Sequence, residues 1–256
     1  MKKVKAIFPG LVVLAVSLVL TMLVVSCNGG SKAPAYDLTI TSTFDNADGN
    51  SSDGLFTTYS GGTASVWTYA TDAENPDTLS FTSSTGGKVL FTGSEINVGT
   101  VEVDVTLTEG TETGNAGFLV YSSAYSNNGP DSLHGIYVGL GRNNGSGPFA
   151  VGGTEVGPKA SFLQIGKMQD NWTQLGLARL SDGPVEYPIT CHLTINMTSE
   201  GIQILVDGVQ KGKFMPDPEF MVGGAIGFRT FNSAGYIDNL SITGVSLAAA
   251  AAASEE

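Results

Sequence analysis

The sequence predicts an all-β, antiparallel domain, and three observations carry that expectation. Within residues 188–243, Ile189, Cys191, Leu193, Ile195 and Met197 alternate with polar neighbours, the period of two that marks a half-buried strand. Asp207-Gly208 separates two short runs, 202–206 and 209–214. Both residue types tolerate positive φ, so the pair reads as a tight hairpin turn. Composition agrees: there are 34 glycines in 256 residues and only 14% charged residues, against about 25% charged in an average globular protein. Residues 36–245 contain no charged or Pro-rich linker and no internal repeat, and read as one domain.

The N-terminus reads as an export signal. Met1-Lys2-Lys3-Val4-Lys5 is a basic region, residues 6–25 are uncharged, and Ser26-Cys27 follows. A small residue before Cys at the end of an apolar run resembles the lipobox of bacterial lipoproteins, in which Cys27 becomes the acylated N-terminus. Residues 1–26 are then the signal peptide and 27–35 a polar tether. The other reading is a signal anchor that keeps its apolar run in the membrane. Either places the domain outside the cytoplasm; the first makes it a lipid-anchored protein of the bacterial cell envelope, periplasmic or surface-exposed. Removing Lys2, Lys3 and Lys5 with the signal leaves 9 basic against 24 acidic residues, a net −15. Such a surface repels phosphate backbones, which excludes nucleic acid as a partner.

The strands follow in order. Residues 36–44 alternate apolar residues with Thr and form the first strand. A turn-rich, acidic loop spans 45–54. Its spacing resembles an EF-hand loop, but no glutamate stands at the bidentate position and no helices flank it. Residues 64–71 carry Trp67 and Tyr69; 79–83 and 89–92 read as a hairpin around Ser84-Thr85-Gly86-Gly87. Val101, Val103, Val105 and Leu107 give a one-sided strand that turns Glu102 and Asp104 to the other face. Strands at 116–122 and 133–141 are joined by a polar loop at 123–132. The stretch 142–170 is the least regular; its glycines are not a phosphate loop, since no Gly-Lys-Ser/Thr follows. Residues 224–231 and 235–242 read as a pair joined at Asn232-Ser233-Ala234-Gly235, and 246–256 as a frayed tail, disordered because six alanines are too few to hold a helix alone.

The segments 189–195, 201–208 and 224–242, with Gly224-Ala225-Ile226-Gly227-Phe228-Arg229-Thr230-Phe231 and Gly235-Tyr236-Ile237-Asp238-Asn239-Leu240-Ser241-Ile242, resemble the last strands of concanavalin A-like sandwich modules. The C-terminal fructan-binding module of levanases and the 3-keto-disaccharide hydrolase-like domain are the nearest in pattern; laminin-G-like domains are similar in outline. The resemblance implies a two-sheet antiparallel jelly-roll sandwich that often binds carbohydrate on its concave face. It also implies a structural Ca²⁺ between the first and last strands, for which Asp45 and Asp238 are the candidate ligands; a solvated Asx-turn loop is the plainer reading of 45–54. Levanase-type modules commonly place an Arg and an Asp where this chain has Tyr121 and Ser123, a departure that touches the ligand and not the fold.

Catalytic signatures are sparse. Glu102 and Asp104 share a face, yet Thr106 and Leu107 stand where the Glu-x-Asp-x-x-Glu of family-16 endoglucanases needs a third carboxylate. His134 and His192 lack partners at zinc-ligand spacing, no Gly-x-Ser-x-Gly elbow occurs, and Cys191 lies on an apolar face as a buried thiol. Sugar recognition needs guanidinium forks and flat rings, which makes Tyr121, Tyr137, Arg142, Trp172 and Arg229 the ligand-binding candidates. If Phe228 is in the core, Arg229 points out of it, and its loss would weaken binding without unfolding the domain. The leading expectation is a non-catalytic glycan-binding lipoprotein. The alternatives are an enzyme of the 3-keto-disaccharide hydrolase type, or an adhesion or structural lipoprotein that binds another protein.

Overall fold

The computed structural model describes residues 36–42, 44, 56–59, 65–69, 78–83, 86–124 and 131–253, all within the unit Pro34–Glu256. Fifteen strands and one helix follow in the order β1 Leu38–Ser42, β2 Phe56–Tyr59, β3 Ser65–Tyr69, β4 Leu79–Ser83, β5 Gly87–Phe91, β6 Ile96–Ser123, β7 His134–Arg142, β8 Phe149–Val151, β9 Thr154–Val156, β10 Ser161–Gln169, β11 Trp172–Arg179, β12 Ile189–Thr198, β13 Gly201–Val206, β14 Val209–Phe214, β15 Ala225–Ser246 and α1 Leu247–Ala253. All pairings between them are antiparallel.

Two long strands, β6 and β15, pair along their lengths and hold the domain together. The first half of β6 pairs with β12, which continues to β13 and β14, while the end of β15 takes β1. The second half of β6 pairs with β7, which continues to β10 and β11, while the start of β15 takes β5 and then β2. The result is an antiparallel sheet curled into two leaves that share β6 and β15. β4 pairs with the middle of β15, and β3 with β4.

The curl comes from bulges. The β6–β15 register shifts at five places; at one of them Phe231 pairs with Asn115 and Ser233 with Gly110, so β6 bulges opposite Asn232, whose φ of 49° is left-handed, and the pair bends there. Two expected hairpins are therefore corrected. Where the sequence suggested a reversal within 224–242, Ala225–Ser246 runs on as one bent strand, with Asn232 facing the β6 bulge. β4 and β5 do not pair with each other but run end to end along β15, at Ala234–Ile237 and Gly227–Thr230. The strands expected at 101–107 and 116–122 are likewise both parts of β6.

The predicted alternation of β12 holds: Cys191, Leu193, Ile195 and Met197 are buried between less buried neighbours. The Asp207-Gly208 turn has φ of 52° and 75°, the doubly positive turn that matches strand twist. Both leaves contribute to one core, in which Phe228 packs on Phe81 at 5.2 Å and edge-on against Phe118 at 5.2 Å. Cys191 is 7% exposed, and burial pushes its thiol up to about 11, so it is inert near neutrality. The face of β6 and β12–β14 turned away from this core is polar. Thr100 Oγ1 donates to Asn196 Oδ1 at 3.0 Å, Asn196 Nδ2 to Gln203 Oε1 at 3.4 Å and Gln203 Nε2 to Gln210 Oε1 at 2.5 Å. Within the tail expected to be disordered, Leu247–Ala253 forms α1, and the Leu247 amide donates to the Glu95 carbonyl at 3.1 Å, which ties the helix to β6's entry.

Candidate functional site

The leaf built on β5, β15, β6, β7, β10 and β11 presents its second face away from the core. Because side chains alternate, the register across the strands identifies that face. Arg229 pairs with Lys88 on one side and Gly117 on the other; Gly117 continues to Gly139, and Gly139 to Gln164. The row on one side runs Phe231, Asn115, Gly141, Phe162, and the row on the other Leu119, Tyr137, Gly166. Glycines in these rows make room for rings laid across the sheet. A Cβ on Gly139 would collide with the Tyr137 hydroxyl, one on Gly166 with the Trp172 indole, and one on Gly141 with the Phe162 ring. Side chains that would stand upright elsewhere here lie flat and form walls.

Those walls enclose a cleft of about 410 Å³ lined by Asn115, Asp131, Asn143, Phe149, Phe162, Gln164, Trp172, Gln174, Arg229 and Phe231. Arg229, 3% exposed, lies at its floor. Its Nε donates to Asp131 Oδ1 at 2.9 Å, Nη2 meets the same oxygen at 2.6 Å and Nη1 donates to Asn115 Oδ1 at 2.9 Å. The guanidinium carbon lies 5.2–5.4 Å from the centroids of Tyr137, Trp172 and Phe231, within cation–π range. Tyr137 donates its hydroxyl to Asn115 Oδ1 at 2.8 Å, and burial, partly opposed by Arg229, holds its phenol far above the ordinary value. An aromatic cage, one ion pair and several carboxamides together offer flat apolar surface beside directional polar groups.

Lys88, the strand neighbour of Arg229, is buried and donates to Ser132 Oγ at 3.3 Å. Burial lowers its ammonium to about 8; Asp131 opposes this and Arg229 adds to it. The folded value thus lies below that of the unfolded chain, about 10.4. Between these values the unfolded chain holds the extra proton, so the domain gains stability from this group as pH rises from 8 to 10.4. Denaturant melts of the native chain and Lys88→Met should therefore converge, or cross in favour of the native chain, over that window. A stability difference that stays constant with pH would show that Lys88 titrates normally.

The expected site residues separate. Arg229 and Trp172 line the cleft, and Tyr137 lies beneath it with its ring against both. Tyr121 is corrected: it is 2% exposed in the core, with φ of 57° and its phenol raised by burial to about 12. It offers no ring face to a ligand, because the end of β6 bulges there and turns the side chain inward. Arg142 is also corrected. It lies outside the cleft lining and clamps the segment before β12, through the Val185 carbonyl at 2.6 Å, Asn144, Glu186 at 3.2 Å and the face of Tyr187. Asp45 and Cys27 lie outside the described residues. Asp238 accepts from the Asn239 amide at 2.6 Å and from its side chain at 3.3 Å. A Ca²⁺ takes six to eight oxygens, and among the described residues no group of three or more His, Cys, Asp and Glu side chains could hold a metal. The expected pair of Asp45 and Asp238 thus lies half outside the described residues. Asn115, Asp131, Gln164 and Gln174 were absent from the expectation: each is a common polar residue that only strand register brings to Arg229.

No family model matches the chain, and no curated protein matches it by sequence. Among solved structures it is similar to a protein of unknown function with a galectin-like fold from Bacillus subtilis, with a TM-score of 0.54 and 8% identity over 84% of this chain and 99% of that one. It is also similar to the potassium-bound carbohydrate recognition domain of Emp46p, with a TM-score of 0.54 and 10% identity over 81% and 96%. The carbohydrate-binding module CBM66 from Bacillus subtilis superposes with a TM-score of 0.47 and 14% identity over 73% and 94%. The fold is a galectin- and concanavalin A-like curled antiparallel sheet, as the strand pattern led one to expect.

Proposed function

We propose that the domain binds a carbohydrate in the cleft over Arg229, and that Cys27 carries the lipid that anchors it to the bacterial envelope. The observation that carries the first reading is the arrangement of Arg229, Trp172 and Phe231 around a shared cleft. Rings accept the C–H face of a pyranose, while guanidinium and carboxamide groups pair with its hydroxyls. The fold is one that carbohydrate recognition domains share, which is support by analogy alone. Among the described residues the cleft's one lining carboxylate, Asp131, is held by Arg229, an arrangement suited to orientation of a ligand more than to the paired acid and base of glycoside hydrolysis. A glycan array probed with the full chain in detergent, followed by calorimetric titration of the best ligand, is the test. Absence of any saturable glycan would favour the adhesion reading.

The anchor has its own test. Acylated Cys27 gives stable membrane attachment when two or more chains are added. Cys27→Ala should move the protein from the detergent phase to the aqueous phase. A variant that still enters the detergent phase and begins at Met1 would instead support a retained signal anchor.

A further inference from the structure

The carbohydrate reading leaves open which sugar fits, and the carboxamides of the cleft bear on that. Gln174 Nε2 donates to the Gly176 carbonyl at 3.1 Å, which fixes the orientation of its amide. Its Oε1 is therefore the atom that accepts from Gln164 Nε2 at 2.9 Å, and this in turn fixes the orientation of Gln164. Gln164 Oε1 is left buried with no hydrogen-bond partner among the described residues, on a residue only 7% exposed. A buried acceptor without a donor is destabilising, so the free protein carries a cost that a ligand N–H or O–H can remove. Gln164 itself lines the cleft, which sets this acceptor beside the space a ligand would occupy.

What surrounds this acceptor narrows the donor. Phe162, two residues earlier on the same face of β10, packs against Phe149 with centroids 5.4 Å apart, and both rings line the cleft beside Gln164. Among the described residues the charges in the lining are Arg229 and Asp131, paired with one another, while the neighbouring Lys88 is fully buried outside the lining and held by Ser132, so an acidic sugar meets no exposed, unpaired cation there. The site asks for an uncharged group that has a donor next to an apolar end. A hydroxyl brings a donor but also lone pairs, which aromatic walls leave unsatisfied. An acetamido group brings one N–H, a carbonyl for the second N–H of Gln174, and a methyl for the rings.

We infer that the cleft selects a sugar bearing an N-acetyl group, with Gln164 as the specificity-determining acceptor; this rests on the carbohydrate reading above. The test is calorimetric titration of the full chain in detergent with the methyl glycosides of N-acetylglucosamine and N-acetylgalactosamine, and with those of glucose and galactose. At least one acetylated sugar should bind ten-fold or more tightly than its parent. Gln164→Met, close in shape but without the acceptor, should bring that ratio below three. Equal binding of acetylated and parent sugars by the native chain would overturn this inference and leave the carbohydrate reading standing. Binding of neither class while the array yields another glycan would also overturn it, whereas an empty array would remove the carbohydrate reading itself. Because selectivity of the native chain is the first measurement, a Gln164→Met protein that failed to fold would not shelter the idea.

Discussion

Arg229→Ala is expected to lose glycan binding and about 3 kcal/mol of stability together. Removing one partner of a buried ion pair costs about 3–5 kcal/mol, and the lower end applies because the Asp131 side chain keeps 29% exposure. For a domain of this size that is a fall in Tm of roughly 6–12 °C. The loss arises from what remains: a carboxylate under aromatic walls, an Asn115 oxygen that loses a donor, and rings without the cation they surround. The sequence alone suggested a variant that binds weakly but folds normally; burial at 3% exposure replaces that with a linked loss. Arg229→Lys keeps the charge but not the planar fork and should recover only part of the stability. Thermal melts and titration of the three proteins decide the matter. An alanine variant with native Tm and native affinity would place Arg229 outside both site and framework.

Gly117→Ala should be strongly disruptive for the addition of one methyl group. A Cβ on Gly117 would collide with the Gly139 Cα and the Val138 carbonyl oxygen. These are backbone atoms of β7, which no rotamer change can move aside. Overpacking typically costs about 1–3 kcal/mol, and an obstacle made of backbone puts this change at or beyond the upper bound. The damage also reaches the cleft, because the β6–β7 register under Gly117 sets Tyr137 and Asn115 against Arg229. Gly147→Ala, with nothing within 4 Å of its added carbon, is the matched control. Urea melts should separate the two clearly. Gly117→Ala within about 0.5 kcal/mol of the native chain, the range of innocuous surface changes, would mean the leaf can spread there at no cost.

Much of the fold was legible because its signals are local. Alternation marked β12, the Asp207-Gly208 pair marked its turn, and alternation through Phe228 gave the direction of Arg229. Local signals failed where both faces of a strand are covered. β10 reads Ser-Phe-Leu-Gln-Ile-Gly-Lys-Met-Gln, buried through its first six residues, and has no polar face to give it away. They failed again at Asn232, since a left-handed Asn fits a bent strand opposite its partner's bulge as well as a turn. The cleft was half legible. Arg229 and Trp172 stand out as rare residue types, whereas Gln164, Gln174, Asn115 and Asp131 matter only through strand partners remote in sequence. Tyr121 and Arg142 were rare types too, and packing put one into the core and the other into a clamp.

The place of β15 in the chain has a bearing on how the protein comes to be folded at all. The strand that joins both leaves is Ala225–Ser246, and it pairs with β1, β4, β5 and β6, so its partners begin nearly two hundred residues earlier. Contacts this remote are slow to form, because the loop must close before the pairing rewards it. Until the last strand has left the ribosome, neither leaf has its spine and the earlier strands carry unpaired edges. A nascent chain that stops short of residue 225 should stay sensitive to protease, and one that extends past 246 should become resistant as a unit.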